Sequence, residues 1–144
     1  MSYSSPDPWN PEKTLKHRTP NCVQYLHPYE SIPEAFNGAL HQEQYIGALK
    51  TFAPVLEGCS FEIFDTIVDV TLRTVVLRLQ ATFDFKAIGE DEPAEKGYTA
   101  EYVYITQMDE SGTKIEKMHE FQDPQRLLGY VLGKAERYNK LHSA

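Results

Sequence analysis

A strict alternation of apolar and polar residues is the feature that most limits how this chain folds. It covers residues 75 to 85. One face of an extended chain there carries Val75, Leu77, Leu79, Ala81, Phe83 and Phe85, and the other carries Arg78, Gln80, Thr82 and Asp84. A period of two is typical of a β-strand with one buried face. The rest of the chain must supply further strands and a layer that covers the apolar face.

The neighbouring segments predict those further strands. Phe61–Phe85 as a whole predicts two long strands joined near Thr71–Thr74. Tyr98–Met108 and Lys114–Gln122 predict a hairpin, in which Gly112 permits the positive φ that such a turn requires. These four long strands are expected to be antiparallel. An earlier segment, residues 22 to 26, predicts only a short strand or an extended stretch.

Helices are predicted before and after the strands. A helical pattern starts near Ser31 and Pro33, and its clearer second part carries an apolar stripe that Pro54 should end. The stripe consists of Tyr45, Leu49, Phe52 and Leu56. A terminal helix should begin at Asp123 as N-cap with Pro124 in its first turn. Its apolar face consists of Leu127, Leu128, Val131, Leu132, Ala135 and Tyr138.

The order of these elements predicts an α+β domain with helices packed on one face of a bent antiparallel sheet. The 144 residues fit one domain. Residues 1–12 contain three of the nine prolines and are expected to be a flexible N-terminal arm, from which Trp9 docks on the body. Residues 13–144 are expected to form the single folded domain.

Composition excludes several classes of partner. The chain has 21 acidic and 14 basic residues and a net charge of -7, whereas nucleic-acid binders are typically basic. It contains no apolar run of roughly 20 residues that a membrane span needs, and its first residues lack the apolar core of a signal peptide. We therefore expect a cytoplasmic protein that binds neither membrane nor nucleic acid. Cys22 and Cys59 are expected to be free thiols.

The sequence does not predict a metal or a cofactor. The five histidines are scattered, and none is paired with a second ligand at helical spacing. There is no glycine-rich nucleotide motif and no G-x-S-x-G nucleophile elbow. Acid/base chemistry by side chains remains the simplest enzymatic interpretation.

Two carboxylates stand near the end of the last predicted strand. Glu120 lies within the strand, next to His119, and Asp123 follows it. Because successive strand residues face opposite sides, Glu120 and His119 cannot both look into one cavity unless a bulge intervenes. A glutamate in an apolar cavity would have a raised pKa, which suits proton abstraction next to a carbonyl. The alternatives are a surface salt bridge for Glu120 and simple helix capping for Asp123.

Other candidates are more dispersed. Arg18 and His27 flank Cys22 and are predicted to reach the mouth of a cavity, where they would stabilise an enolate oxygen. The alternatives are a surface ion pair and a turn residue. Tyr102 and Tyr104 share a strand face and are candidates to bind a substrate carbonyl, or else to pack in the core. Asp65 interrupts an apolar strand and is a further candidate for binding substrate.

Three segments resemble a known family. KIEKMHEFQDPQRLLGYVLG (residues 114–133), RTPNCVQYLHP (18–28) and EYVYITQMDESGTKIEKMHEFQD (101–123) are similar to SnoaL-like proteins of the NTF2-like superfamily, and especially to small fungal proteins of polyketide and meroterpenoid pathways. The resemblance implies a cone-shaped α+β barrel around a hydrophobic pocket, commonly a homodimer. It also implies cofactor-free cyclisation, isomerisation or dehydration of carbonyl-rich substrates.

The resemblance also bears on single residues. The proton-transfer group of bacterial polyketide cyclases in this family corresponds to Asp123 here, with Glu120 as a close rival. Fungal relatives often carry a histidine where this chain has Gln24, and an asparagine where it has Ala100. Gln24 is therefore a candidate substrate-binding residue, and His27 a candidate replacement for the missing histidine.

The favoured hypothesis is a cofactor-independent isomerase or cyclase that acts on a polyketide- or terpenoid-derived intermediate of fungal secondary metabolism. Its substrate would be a hydrophobic molecule that contains a carbonyl group. The alternative is a non-catalytic binding module with the same fold, because fold alone does not fix function. A homodimer is expected, since Val76, Val103 and Ile105 give the sheet apolar residues on its second face.

Overall fold

The computed structural model describes Ser2–Ser4 and residues 11–143. The strands are β1 (Ser2–Ser4), β2 (Arg18–His27), β3 (Leu56–Asp69), β4 (Thr74–Phe85), β5 (Glu95–Met108) and β6 (Ile115–Gln122). The α-helices are α1 (Gln42–Phe52) and α2 (Tyr130–His142). Short 3₁₀ segments lie at Pro11–His17, Tyr29–Ser31, Glu34–Phe36 and Ala53–Val55, and a π-helical turn lies at Gln125–Gly129.

The six described strands form one sheet in the order β1-β3-β4-β5-β6-β2. Neighbours are antiparallel except β2 and β6, which run parallel. The predicted α+β class and the four long antiparallel strands are confirmed. The sheet is open rather than a closed barrel, because its edge strands β1 and β2 do not pair with each other.

The edge strand β2 is longer than the sequence predicts. It alternates between the two faces of the sheet, with Cys22, Gln24 and Leu26 buried on the inner face. The buried polar side chain of Gln24 interrupts the apolar pattern by which such a strand is recognised. Parallel pairing with β6 places Leu26 opposite Glu120.

The helices and the last turn cover the inner face of the sheet. The predicted alternation in β4 is confirmed, since Leu79, Ala81, Phe83 and Phe85 are all buried. They pack with Val55, Leu127 and Val131 in one apolar cluster, whereas Leu26, Ile32, Leu40 and Leu128 form a second. None of the described helices is long and apolar enough to cross a membrane.

The helical region before the sheet differs from the prediction in part. The clearer segment is α1, and it ends before Pro54 as predicted. The segment near Ser31 forms only two short 3₁₀ turns instead of a helix. Pro28, Pro33 and the positive φ of Gly38 divide it into pieces too short for regular α-helix.

The terminal helix begins with a wider turn than predicted. The amide of Gly129 donates to the carbonyl of Pro124 at 2.8 Å, five residues earlier, and α2 follows. The adjacent Leu127 and Leu128 are both buried in this turn, one in each apolar cluster.

The N-terminal segment contributes to the sheet edge. Ser2–Ser4 pairs antiparallel with β3, with Tyr3 opposite Phe61. The flexible arm predicted for residues 1–12 remains a prediction. Trp9, for which docking on the body is predicted, lies outside the described residues.

Candidate functional site

A cavity of about 150 Å³ lies between the inner face of the sheet and the helices. Its wall is mainly apolar and includes Leu26, Phe52, Phe83, Leu127, Leu128 and Val131. Polar side chains enter the wall from β5 and β6, namely Tyr102, Tyr104, Glu120 and Gln122. An apolar cavity with a few polar groups is the common form of a small-molecule site.

Strand β6 delivers its polar groups by simple alternation. Met118, Glu120 and Gln122 are buried on the inner face, while His119 and Phe121 lie on the outer face. Antiparallel pairing sets Glu120 opposite Tyr104 and Gln122 opposite Tyr102. The prediction that Glu120 and His119 face opposite sides of the sheet is confirmed.

Glu120 is held by two carboxamides. Gln24 Nε2 donates to Glu120 Oε1 at 3.0 Å, and Gln122 Nε2 donates to Glu120 Oε2. Burial raises the pKa of Glu120 to about 7. Hydrogen bonds from Gln122, Tyr104 and Gln24, together with the charge of Arg18, lower the pKa but do not cancel the effect of burial. This carboxyl group can therefore accept and return a proton near neutral pH.

The same two glutamines have acceptors without partners. Among the described residues, Gln24 Oε1 and Gln122 Oε1 are buried and have no hydrogen-bond partner. The orientation of the carboxamides follows from Glu120, because a carboxylate only accepts hydrogen bonds and so takes the Nε2 side of each. A buried acceptor without a partner is costly, and such groups call for an explanation.

Arg18 contributes charge from behind the cavity wall. Its guanidinium lies 4.2 Å above the ring centre of Tyr45, and its Nη2 is 3.9 Å from Met118 Sδ. Tyr45 lines the cavity, whereas Arg18 does not. Arg18 therefore acts on Glu120 through its electric field rather than by contact, which differs from the predicted place at the cavity mouth.

The two tyrosines of β5 are placed where the sequence predicts a carbonyl-binding group. Tyr102 and Tyr104 both line the cavity, and their rings lie 5.4 Å apart. Burial, and then the charge of Glu120, raise the pKa of both hydroxyls well above the ordinary value. Both phenols are therefore protonated at neutral pH and can donate hydrogen bonds.

Asp123 lies outside the cavity. Its Oδ1 accepts hydrogen bonds from the backbone amides of Gln125 at 3.1 Å and Arg126 at 3.2 Å. The side chain is exposed and borders a shallow cleft on the other side of the sheet, together with Arg78. Helix capping, the alternative left open by the sequence, accounts for these contacts.

His27 also lies away from the cavity. Its Nε2 is 2.8 Å from Nδ1 of His119 on the outer face, and its ring stacks on Phe121 at 4.4 Å. The predicted place of His27 at the cavity mouth is therefore wrong, because alternation along β2 turns its side chain outward. Partial burial, followed by the charges of His27 and Lys117, lowers the pKa of His119.

Asp65 is on the outer face as well. It is exposed and forms an ion pair with Arg78, with 2.6 Å between Oδ2 and Nε. A bulge in β3 between Ile63 and Asp65 shifts the register at this point. The substrate-binding place predicted for Asp65 is therefore wrong.

The sequence prediction missed Gln122. Its position two residues after Glu120 on the same strand is a sufficient signal, since residues i and i+2 share a face. Cys59 is a second missed wall residue, and burial raises the pKa of its thiol to about 12. Both Cys22 and Cys59 are free thiols, as predicted.

Comparison with known proteins identifies the fold. No family model matches the sequence, and no curated protein sequence matches it. Among solved structures, PrhC from Penicillium brasilianum is similar with a TM-score of 0.71 and 19% identity, over 93% of this chain and 84% of that one. BvnE pinacolase from Penicillium brevicompactum has a TM-score of 0.69 and 24% identity, over 92% and 84%.

A bacterial protein extends the comparison beyond fungi. A putative SnoaL-like polyketide cyclase from Jannaschia has a TM-score of 0.60 and 14% identity, over 85% of this chain and 78% of that one. Sequence identities this low are informative about architecture only. The chain has the same fold as these solved structures, one of which is described as SnoaL-like.

Proposed function

We propose that the chain is a cofactor-independent isomerase or cyclase that acts by enolisation of a hydrophobic, carbonyl-containing small molecule. The observation that carries this proposal is Glu120, a buried carboxyl group on the wall of an apolar cavity with a pKa raised to about 7. A general base is most effective when its pKa lies near the working pH. A purely structural glutamate would gain nothing from such a place, because burial destabilises its charged form.

The arrangement suggests a division of roles. Glu120 removes a proton from the carbon next to the substrate carbonyl, and the electron pair of that C–H bond forms the enolate. The hydroxyl of Tyr102 donates a hydrogen bond to the developing oxyanion, since that of Tyr104 already donates to Glu120, and Arg18 adds positive potential from behind Tyr45. The protonated Glu120 then returns the proton to another atom of the skeleton, which completes an isomerisation or follows ring closure.

The similar solved structures support a place in secondary metabolism. BvnE is a pinacolase from a fungus, and the Jannaschia protein is a putative polyketide cyclase. Both descriptions refer to rearrangement or ring closure of carbon skeletons. We propose that this chain acts on a polyketide- or terpenoid-derived intermediate in a fungal pathway.

The size of the cavity limits which part of such a substrate is enclosed. An apolar protein cavity of about 150 Å³ is known to take benzene. We therefore expect the cavity to receive one ring-sized portion that carries the reacting carbonyl. The remainder of a larger skeleton would extend beyond it.

We propose that the protein is a homodimer through the outer face of the sheet. One row of this face runs across five strands through Ile67, Val76, Ile105, His119 and Tyr25, and the next runs from the Asp65–Arg78 ion pair through Val103 and Phe121 to His27. Ile67 is 64% exposed, and Ile105 and Phe121 are each nearly 40% exposed. Apolar residues this concentrated on one exposed face are typical of an interaction surface.

A hydrogen-exchange assay with small ketones tests the proposed chemistry. Acetophenone and related ring-sized ketones are incubated with the protein in D₂O, and deuterium at the α-carbon is followed by mass spectrometry. We expect exchange faster than in buffer, with a rate that rises as pH increases through about 7, because the carboxylate form is the base. Binding without exchange across the whole set would favour the non-catalytic binding module instead.

A further inference from the structure

We propose that Gln122 Oε1 is a subsite for a substrate hydroxyl, so that the substrate class is a ring-sized apolar hydroxy-carbonyl compound rather than a simple ketone. The inference deepens the proposed function and rests on it, since the same cavity is taken as the substrate site. It starts from a polar atom that has no hydrogen-bond partner among the described residues, and it concerns the donor that a ligand must supply.

Two buried carboxamide oxygens near Glu120 have no hydrogen-bond partner among the described residues, and one of them belongs to a residue that lines the cavity. Gln122 lines the cavity and is 8% exposed, and its Nε2 donates a hydrogen bond to Glu120. Its Oε1 is buried without a hydrogen-bond partner among the described residues. Gln24 is 1% exposed and has the same arrangement, with Nε2 on Glu120 and Oε1 without a partner.

The two glutamines are fixed in this orientation as long as Glu120 is charged. Rotating a carboxamide by half a turn would place its oxygen against a carboxylate oxygen and remove a hydrogen bond. Gln24 is further restrained because its backbone pairs with Leu40 in both directions, at 2.9 and 2.8 Å. The protein therefore maintains unsatisfied acceptors beside its base.

A ligand can remove the cost of the unpaired Gln122 oxygen only if it carries a hydrogen-bond donor. A ketone offers acceptors alone, which the hydroxyl of Tyr102 can satisfy but Gln122 Oε1 cannot use. A hydroxyl close to the carbonyl would donate to Gln122 Oε1 while the carbonyl receives a phenol hydrogen bond. Of the two glutamines, Gln122 is the one that borders the cavity, so the subsite is assigned to it.

The site should distinguish strongly between a ligand with a hydroxyl group and one with a methyl group at the same position. A site that contains a buried polar group disfavours a ligand that leaves the group unpaired, because the cost of desolvation is then not recovered. We expect a hydroxyl in place of a methyl group to improve binding by about tenfold or more at pH 8, where Glu120 is charged.

The test compares two ligands that differ only in this group. α-Hydroxyacetophenone and propiophenone have the same number of heavy atoms, with a hydroxyl in one and a methyl in the other. Their dissociation constants for the full chain are measured by calorimetry or NMR titration at pH 8. We expect α-hydroxyacetophenone to bind at least tenfold more tightly, even though propiophenone is the more hydrophobic ligand.

A glutamine substitution assigns the preference to one side chain. Gln122→Met keeps the length of the side chain and removes the acceptor together with the Nε2 donor to Glu120, and we expect it to abolish or reverse the preference. Gln80→Met is the matched control, because Gln80 pairs with Glu101 on the outer face, and it should bind both ligands like the wild type. Preference retained in Gln122→Met would overturn the assignment, since the hydroxyl would then be bound by Glu120 itself.

The wild-type comparison decides the matter even if Gln122→Met does not fold. Equal affinity for the two ligands, tighter binding of propiophenone, or no binding of either overturns the subsite. This ligand preference is measured independently of the proposed enolisation, which is tested by deuterium exchange. Exchange without a hydroxyl preference removes the subsite alone, whereas preference without exchange removes the enolisation mechanism alone.

Discussion

Glu120 and His119 are adjacent in the sequence and lie on opposite faces of the same strand, with opposite electrostatic consequences. Burial raises the pKa of Glu120 to about 7, while partial burial and nearby positive groups lower the pKa of His119. Both shifts favour the neutral form of the side chain. The inner face surrounds a carboxyl group with carboxamides, phenols and apolar walls, whereas the outer face places an imidazole among apolar side chains and a second histidine.

The two residues should respond to pH in opposite directions. Glu120 binds its proton more tightly in the folded state, so its contribution to the free energy of unfolding falls as pH rises from 4.5 to about 7. This rise in the pKa corresponds to a loss of roughly 3 kcal/mol in the free energy of unfolding across that pH interval. His119 binds its proton more weakly in the folded state, so its contribution is lost as pH falls below its ordinary value of 6.5.

The largest expected effect follows from removing the base on the inner face. Glu120→Gln should lower the rate of α-deuterium exchange by roughly 10²-fold or more, the usual scale for losing a general base. A chelator should leave the rate unchanged, since a side-chain carboxylate carries the chemistry. The matched control is Glu101→Gln, because Glu101 is exposed on the outer face, and its exchange should equal that of the wild type.

The same substitution should stabilise the protein above pH 7. The introduced carboxamide would carry no charge to desolvate, and its NH₂ group could donate to one of the unpaired glutamine oxygens. We expect a higher melting temperature for Glu120→Gln than for the wild type at pH 8, and a smaller difference at pH 5. A lower melting temperature at pH 8 would show that the charged carboxylate does not destabilise the folded protein.

The outer face can be tested by introducing a charge. Ile105→Asp places a carboxylate in the centre of the apolar row, and we expect it to convert a dimer of twice 16.5 kDa into a monomer of 16.5 kDa by light scattering. Val70→Asp is the control, because Val70 is 83% exposed in the β3–β4 turn and lies outside that row. A wild-type mass of one chain at all concentrations would contradict the dimer.

A smaller effect is expected from the residue that caps the last helical segment. Asp123→Ala removes the acceptor of two backbone amides and should cost about 1 kcal/mol in the free energy of unfolding. Asp123→Asn should cost much less, because asparagine caps nearly as well. Both variants should keep the wild-type rate of deuterium exchange, and a rate loss in Asp123→Asn at unchanged stability would place Asp123 in the chemistry.

The smallest effect is expected for the outer histidine. His119→Gln should reduce the loss of stability between pH 6.5 and pH 5 by tenths of a kcal/mol, because the group is partly exposed and screened by solvent. Chemical denaturation of both proteins at the two pH values measures the change. Equal pH dependence in the two proteins would mean that His119 titrates alike in the folded and unfolded states.

The sheet was predictable where one face is apolar and the other polar. The alternation in β4 and the hairpin of β5 and β6 determine the inner face, and with it the inward direction of Glu120. Strand β2 was harder to recognise because Gln24, a polar residue, takes a buried position in the pattern. Its polarity is accounted for by Glu120, a partner 96 residues away in sequence.

The site residues were less predictable than the sheet. His27, Asp65 and Asp123 have the right chemistry, but alternation, a bulge and a helix cap keep them out of the cavity. Which of several acidic and basic side chains is buried depends on register between distant strands. Tyr102, Tyr104 and Glu120 line the cavity, although the sequence alone left core packing open for the tyrosines and a surface salt bridge open for Glu120.

The central claim is that the inner face holds Glu120 with a near-neutral pKa, and the titration of this one carboxyl group tests it most directly. The carboxyl signal of Glu120 can be followed by ¹³C NMR, assigned by its loss in Glu120→Gln, between pH 3 and pH 9. The account predicts a midpoint near 7. A midpoint near 4.5, the ordinary value for glutamate, would contradict it.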